Sequence, residues 1–317
     1  MRSVVSIIIL TGILVPQGVD QGSQGPCRTQ PIGERHGPYL GEIPPGNEPK
    51  IFAPNLVSSA CSEHSVPAFS PDGREAVWTR MVEGSRKARL LYTREEAAGW
   101  TEPGIATFIT GGDAFYPFFS VDGGELYYVS RDLFSRSLKR ARREGDGWSR
   151  PRKVGSPMKD KQLMWSASMS GTGTVYFVLI DDGGVERIYR ARRTERGYDD
   201  EEMLSEEVNL AGYSASTPFI APDESYLLFS SPRPGGSGAW DLLISFTAAD
   251  GSWSDACNLG PTINTGAIEH SPGVTPDGAY LFFIRGSDAY WVKADAIERT
   301  REGGCGATFN PGGGLFR

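Results

Sequence analysis

His64–Arg80, "HSVPAFSPDGREAVWTR", and Phe115–Arg131, "FYPFFSVDGGELYYVSR", write one pattern twice, and that pattern decides the fold. Apolar residues lead into Ser-x-Asp-Gly, and a run rich in β-branched and aromatic residues leads out of it. Proline fixes φ, aspartate closes a local turn with its carboxylate, and glycine tolerates positive φ, so each copy reads as a β-hairpin. Three further copies follow as "SMSGTGTVYFV" from Ser168, "IAPDESYLLFSS" from Ile220 and "VTPDGAYLFFIRG" from Val274. With turn centres at Asp72, Asp122, Gly171, Asp223 and Asp277, the steps are 50, 49, 52 and 54 residues. A period of about fifty belongs to propeller blades rather than to short solenoid repeats.

Each hairpin is followed by a third strand: "ARLLYTRE", "RSLKRARR", "RIYRARRT", "DLLISFTA" and "DAYWVKAD". After four of these an aromatic residue, Trp100, Trp148, Tyr198 or Trp253, opens a candidate fourth strand. The fifth unit has none and runs into a glycine-rich end. The missing strand is available at the start, in "EPKIFAPNLVSS", Glu48–Ser59. Supplying it from there closes a ring and removes an exposed sheet edge. The expectation is an all-β, five-bladed β-propeller of four-stranded blades closed by an N-terminal strand; six blades would need a sixth copy. An acidic stretch in unit three, Gly197–Glu207, reads as a surface loop. The basic run Arg136–Lys153 reads as a solvated outer face, and "SPRPGGSGAWD" from Ser230 as a long hairpin loop rather than a phosphate cradle.

The domain plan is a signal peptide over residues 1–18, an N-terminal extension over 19–47, the propeller over 48–299 and a Gly-rich tail over 300–317. Arg2 ahead of the apolar run Val4–Val15 has the shape of a secretory signal, too short to span a bilayer comfortably, with a retained anchor as the alternative. Export to the periplasm or the extracellular space is expected, with no membrane span after signal removal. Four cysteines, Cys27, Cys61, Cys257 and Cys305, permit disulfides in such a compartment. Three pairings are open; joining Cys27 to Cys305 would tie the two tails together. Their spacing fits no zinc site.

Pro71–Gly73 and Pro276–Gly278, with their degenerate partners at 121–123 and 222–224, resemble the Pro-Asp-Gly repeats of TolB-like, WD-repeat-like propellers of bacterial envelope proteins. "PYLGEIPPGNEPKIFAPNLVS" from Pro38 and "SDAYWVKADAI" from Ser287 are similar to an exported bacterial subgroup of that family, one to which the resemblance attaches no activity. The likeness spans roughly residues 38 to 298 and implies a fold far more than a function. Unit three departs from the signature with Ser170-Gly171-Thr172, and unit two with Val121 in place of proline.

The turn residues Asp72, Gly73, Asp122, Gly123, Asp223, Asp277 and Gly278 are therefore architectural, and function is sought where the copies differ. Just before the first strands they read "SEHSVP", "GDAFYP", "KDKQLMWS", "GYSASTP" and "IEHSP". Units one and five share Glu-His-Ser and adjoin in a closed ring, so Glu63, His64, Glu269 and His270, with Asp113 on the next blade, are candidate ligand-binding residues at one mouth of the channel. Trp165 or Phe115 there could stack on a sugar or a peptide side chain. The expected function is a binding or scaffold module with a protein or peptide partner across the funnel face. The alternative is a glycan-active or metal-dependent hydrolase using Glu63, Asp113 and Glu269 with the histidines. No catalytic residue or metal ligand is assigned and no cofactor is expected. The net charge of −7 argues against nucleic acid, and no Gly-x-Ser-x-Gly is present for a peptidase.

Overall fold

The computed structural model describes residues 31–59, 65–82, 85, 87–131, 136–155, 166–195 and 197–305. The expected signal segment 1–18, Cys27, Cys61, Glu63, His64, Trp165 and residues 306–317 lie outside these.

Five antiparallel sheets form the ring. From the centre outward, blade 1 holds Ala68–Phe69, Glu75–Met81, Ala88–Glu96 and Gly104–Ile105. Blade 2 holds Asp113–Phe119, Glu125–Arg131, Arg136–Glu144 and Arg152–Lys153. Blade 3 holds Ala167–Met169, Val175–Ile180, Glu186–Ala191 and Glu202–Met203, so the acidic stretch supplies the outermost strand, its Glu202 paired with Arg190 and Arg192. Blade 4 holds Ser216–Ile220, Tyr226–Ser231, Asp241–Phe246 and Cys257–Asn258. Blade 5 holds Glu269–Val274, Tyr280–Arg285 and Asp288–Lys293, and is completed by Lys50–Ile51, which pairs with Trp291 and Tyr290. The chain end thus closes the ring, as the missing fourth strand requires.

The second strands alternate between two interfaces and are buried on both sides, which explains their continuous apolar runs. In blade 1, Trp78 faces the seam with blade 5 while Val77 packs with Ala114 and Leu126 of blade 2. The seam is aromatic: Phe52 lies edge-on to Phe282 at 4.9 Å and to Trp291 at 5.0 Å. Ile32, Tyr39 and Leu40 of the N-terminal extension are buried in the same cluster, and Trp100 donates its indole N–H to Gly37 O.

The hairpin turns share one network. Ser70 Oγ donates to Asp72 Oδ1 at 2.6 Å and accepts the Glu75 N–H at 2.9 Å. Ser120 with Asp122 and Thr275 with Asp277 repeat it. The residue after each aspartate is left-handed, Gly73 at φ 67°, Gly123 at 70°, Gly278 at 74°, and in blade 4 Glu224 at 60°. In blade 3 that position falls to Gly173 at φ 86°, with Ser170 bonded to Thr172. The turn centre there is Thr172, one residue beyond the expected Gly171, because a hydroxyl takes over the aspartate's acceptor role. Gly171 instead sits where proline stands in blades 1, 4 and 5 and donates its N–H to Pro222 O at 2.7 Å.

A helix, Asp295–Glu302, follows the last strand and was not foreseen; it straddles the expected boundary between propeller and tail. Ala296 and Ile297 bury against blades 4 and 5, and Arg301 lies over Phe246 at 4.3 Å. The helix carries Cys305 back to the outer strand of blade 4, where it is bonded to Cys257 with 6.0 Å between Cα atoms. The pairing of Cys27 with Cys305 is thereby excluded. The basic run is not simply solvated either: Arg143 grips Glu75 of blade 1 in a bidentate pair at 2.7 and 3.1 Å while lying over Trp148.

Candidate functional site

Strand direction gives the ring two unlike faces. Turns joining first to second strands lie on one face, the hairpin face; connections from second to third strands, and from one blade to the next, lie on the opposite, crossover face.

The first strands line the central channel and carry a bulge in three blades. Tyr116, Thr217 and Ser271 have φ of 48°, 49° and 51°, and each precedes a proline. Register slips at the same places, between Phe115 and Phe118, Ser216 and Phe219, and His270 and Gly273. A left-handed non-glycine residue costs about 1–3 kcal/mol and persists only when its surroundings fix it. For two of the three, hydroxyls of the neighbouring blade do so: the Tyr116 N–H donates to Thr79 Oγ1 and the Ser271 N–H to Thr217 Oγ1, both at 3.1 Å. Proline next in line presents its ring to the channel and offers no N–H to satisfy.

The result is an apolar chamber of about 290 Å³ in the hairpin half of the channel. Pro67, Pro117, Pro218 and Pro272 ring its inner part; Pro71, Pro222 and Pro276 ring its mouth, where Val121 is 56% exposed. Phe118, Phe219, Tyr226 and Met169 fill the walls between them. Tyr116 reaches from blade 2 to Ser271 of blade 5, and because those blades are not neighbours its side chain crosses the channel. Burial pushes its phenol up to about 12, partly offset by the Ser271 hydroxyl, so it stays a neutral crossbar.

The candidate polar residues stand at the other end of the same strands. Asp113 accepts from Arg131 at 2.7 and 3.1 Å and from the Ala88 N–H of blade 1 at 3.1 Å. Burial alone would raise its carboxyl, but the Arg131 bonds and the Ala88 N–H hold it below the ordinary aspartate range. Glu269 is fully buried and accepts from Arg285 at 3.0 Å and from Thr265 Oγ1 at 2.7 Å. His270 Nδ1 lies 2.8 Å from Ser271 Oγ. Phe115 is buried beneath the Arg131 guanidinium at 5.0 Å. Glu63, His64 and Trp165 fall outside the described residues. Asp113 and Glu269 thus each have an arginine of their own blade as partner, and among the described residues no group of three or more His, Cys, Asp and Glu could hold a metal ion.

Sequence reasoning missed the chamber, although its signal was present: a proline recurs at the same place in four of the five blades, as Val66-Pro67, Tyr116-Pro117, Thr217-Pro218 and Ser271-Pro272.

No protein-family model matches the chain, and no curated protein matches it. Solved structures do. A protein assigned as a TolB from Agrobacterium tumefaciens shares 20% identity over 70% of this chain and 69% of its own, with a TM-score of 0.47. TolB from Acinetobacter baumannii shares 15% over 74% of this chain and 55% of its own, with a TM-score of 0.49, so this chain spans just over half of that protein. An endo-arabinase from Bacteroides thetaiotaomicron shares 14% over 72% of this chain and 92% of its own, with a TM-score of 0.50. The likeness is one of fold. The five-bladed β-propeller read from the hairpins holds at that level.

Proposed function

We propose that this chain is an exported β-propeller binding module that receives an apolar side chain, presented by a peptide or a surface loop of a partner protein, in the chamber on its hairpin face. The observation that carries this reading is the 290 Å³ chamber itself, walled by prolines and aromatic residues and open beside the exposed Val121. Binding sites are concave, mostly apolar and largely preformed, and this one is held by rigid bulges rather than by loops. It moves the expected partner contact from the crossover mouth to the opposite face. The Cys257–Cys305 disulfide supports an oxidising compartment, in keeping with the apolar leader. No helix among the described residues is long and apolar enough to cross a membrane.

The test is a peptide-display selection on the mature chain, followed by titration of the selected peptides against Val121→Asp, a rim change that leaves the core untouched. Peptides with one aromatic or branched apolar anchor, bound by the parent and weakened about tenfold or more by the rim charge, support the reading. Selection of acidic or polar peptides indifferent to Val121→Asp would refute it.

A further inference from the structure

The chamber is not equally apolar all round. Its inner ring carries proline on four blades, but blade 3 has Ala167 at that position. One residue further toward the hairpin, blades 2 and 4 present Phe118 and Phe219, while blade 3, which packs between them, presents Ser168. One residue before the ring, blade 3 has Ser166 where its neighbours have Tyr116 and Thr217. Blade 3 also lacks the bulge, its first strand pairing in unbroken register from Ala167 to Met169. Smaller side chains at three successive positions make it the polar wall of the chamber.

Seven serine and threonine side chains line the chamber, and six are bonded within the protein. Ser65 pairs with Thr79, Ser120 with Asp122, Thr217 with Ser230, Ser271 with His270 and Thr275 with Asp277, while Ser168 Oγ accepts the Ile220 N–H. Ser166 is the exception: it is 2% exposed, and its Oγ has no hydrogen-bond partner among the described residues. Its carbonyl accepts the Val178 N–H at 3.3 Å, so the hydroxyl is what the fold leaves over. A buried hydroxyl without a partner is destabilising and calls for a group that completes it.

We propose that the chamber selects a tyrosine side chain on the partner's peptide or loop, its ring packed among the prolines, Phe118 and Phe219 and its phenol hydroxyl bonded to Ser166 Oγ. Tyrosine joins an apolar ring to a polar tip, and aromatic rings pack favourably on one another edge-on or offset. A phenol and a serine hydroxyl can each donate or accept, so the two are complementary whichever way the proton points. Leucine or phenylalanine would fill the walls and leave Ser166 without its bond. No charged residue lines the chamber among those described, which rules out an ionised anchor. A site that bonds a substrate hydroxyl discriminates against the analogue lacking it, so tyrosine is selected over phenylalanine.

This inference rests on the chamber being a binding socket, and the test separates the two. The full chain is titrated with p-cresol and with toluene, the isolated side chains of tyrosine and phenylalanine. A wholly apolar cavity prefers toluene, because the cresol hydroxyl loses its bond to water on entry. The expected result is the reverse, p-cresol tighter by about fivefold or more, with the order inverted in Ser166→Ala. That variant should melt no lower than the parent, since it removes a buried hydroxyl that bonds to nothing, so its loss of p-cresol reports recognition rather than unfolding. Toluene bound as tightly as p-cresol, or p-cresol indifferent to Ser166→Ala, overturns the inference and leaves an apolar socket standing. Binding of neither compound overturns the socket as well. For a display-selected peptide, replacing the anchor tyrosine by phenylalanine should weaken binding about fivefold to the parent and leave binding to Ser166→Ala unchanged; equal losses in both count against the bond.

Discussion

Glu269 and Arg285 stand directly opposite one another on the first two strands of blade 5, with Arg285 Nε 3.0 Å from Glu269 Oε1 and the glutamate wholly buried. Arg285 also donates to Ile263 O at 2.8 Å and lies over Tyr290 at 4.7 Å, so the pair ties blade 5 to the last loop of blade 4. Asp113 and Arg131 repeat the pairing in blade 2 and reach blade 1 through Ala88. Removing one partner leaves a buried charge, so Glu269→Ala should lower stability in urea unfolding by about 3–5 kcal/mol, with Glu269→Leu/Arg285→Met recovering most of it. An alanine variant of native stability would show that the pair holds nothing together.

The ring should fail at its seam first. Phe52 contributes a fully buried ring to the contact between blades 5 and 1, and Phe52→Ala should cost about 3–5 kcal/mol. A chain beginning at Ser65 loses Lys50–Ile51 together with Tyr39 and Phe52 of the aromatic seam and should show no cooperative calorimetric transition at the parent's temperature. Unchanged melting would contradict closure by this strand.

Cys257 and Cys305 close a loop with a sequence separation of 48. Constraint of the unfolded chain over such a span is worth about 2–4 kcal/mol, so Cys257→Ser/Cys305→Ser should melt earlier by that measure, while the parent in reductant should approach the variant. Melting indifferent to both would mean that the helix holds itself in place.

Two carboxyls give opposite pH signatures. Burial raises the Glu186 carboxyl above the ordinary range, against the opposing Ser216 hydrogen bond and Arg136 charge. A raised carboxyl favours the folded state while protonated, and the resulting penalty grows as pH rises from its unfolded value through its folded one. Glu186→Gln should therefore raise Tm at pH 7 and leave it unchanged near pH 4. Asp113 runs the other way: its lowered carboxyl contributes stability above the unfolded value that is lost as pH falls through the folded one, so Asp113→Asn should lose stability at pH 7 and little in acid. Parallel melting curves for variants and parent at all pH would refute both assignments.

Much of the architecture was legible because a propeller repeats itself. The Ser-x-Asp-Gly turns carry their whole hydrogen-bond network within six residues, from Ser70 to Glu75 in blade 1, so local sequence specifies them. Where the signature degrades, in Ser170–Thr174, the alignment slipped by one, since a threonine hydroxyl in place of a carboxylate is visible only in the bonds it makes. The helix Asp295–Glu302 was missed because it is short and buries only Ala296 and Ile297, too few for periodicity to register.

The sequence by itself determined the five repeats, the strand borrowed from Glu48–Ser59 and the positions of four of the five turns, because period, turn chemistry and strand propensity are properties of neighbouring residues. Tertiary structure alone decided which cysteine meets Cys305, that Asp113 and Glu269 face arginines, and that Tyr116 crosses the channel to Ser271. Those outcomes depend on which blades touch and how far a bulge turns a side chain, distances across the ring that no local pattern encodes. The chamber lies between the two cases: its prolines recur in the sequence, and only closure of the ring makes them face one another.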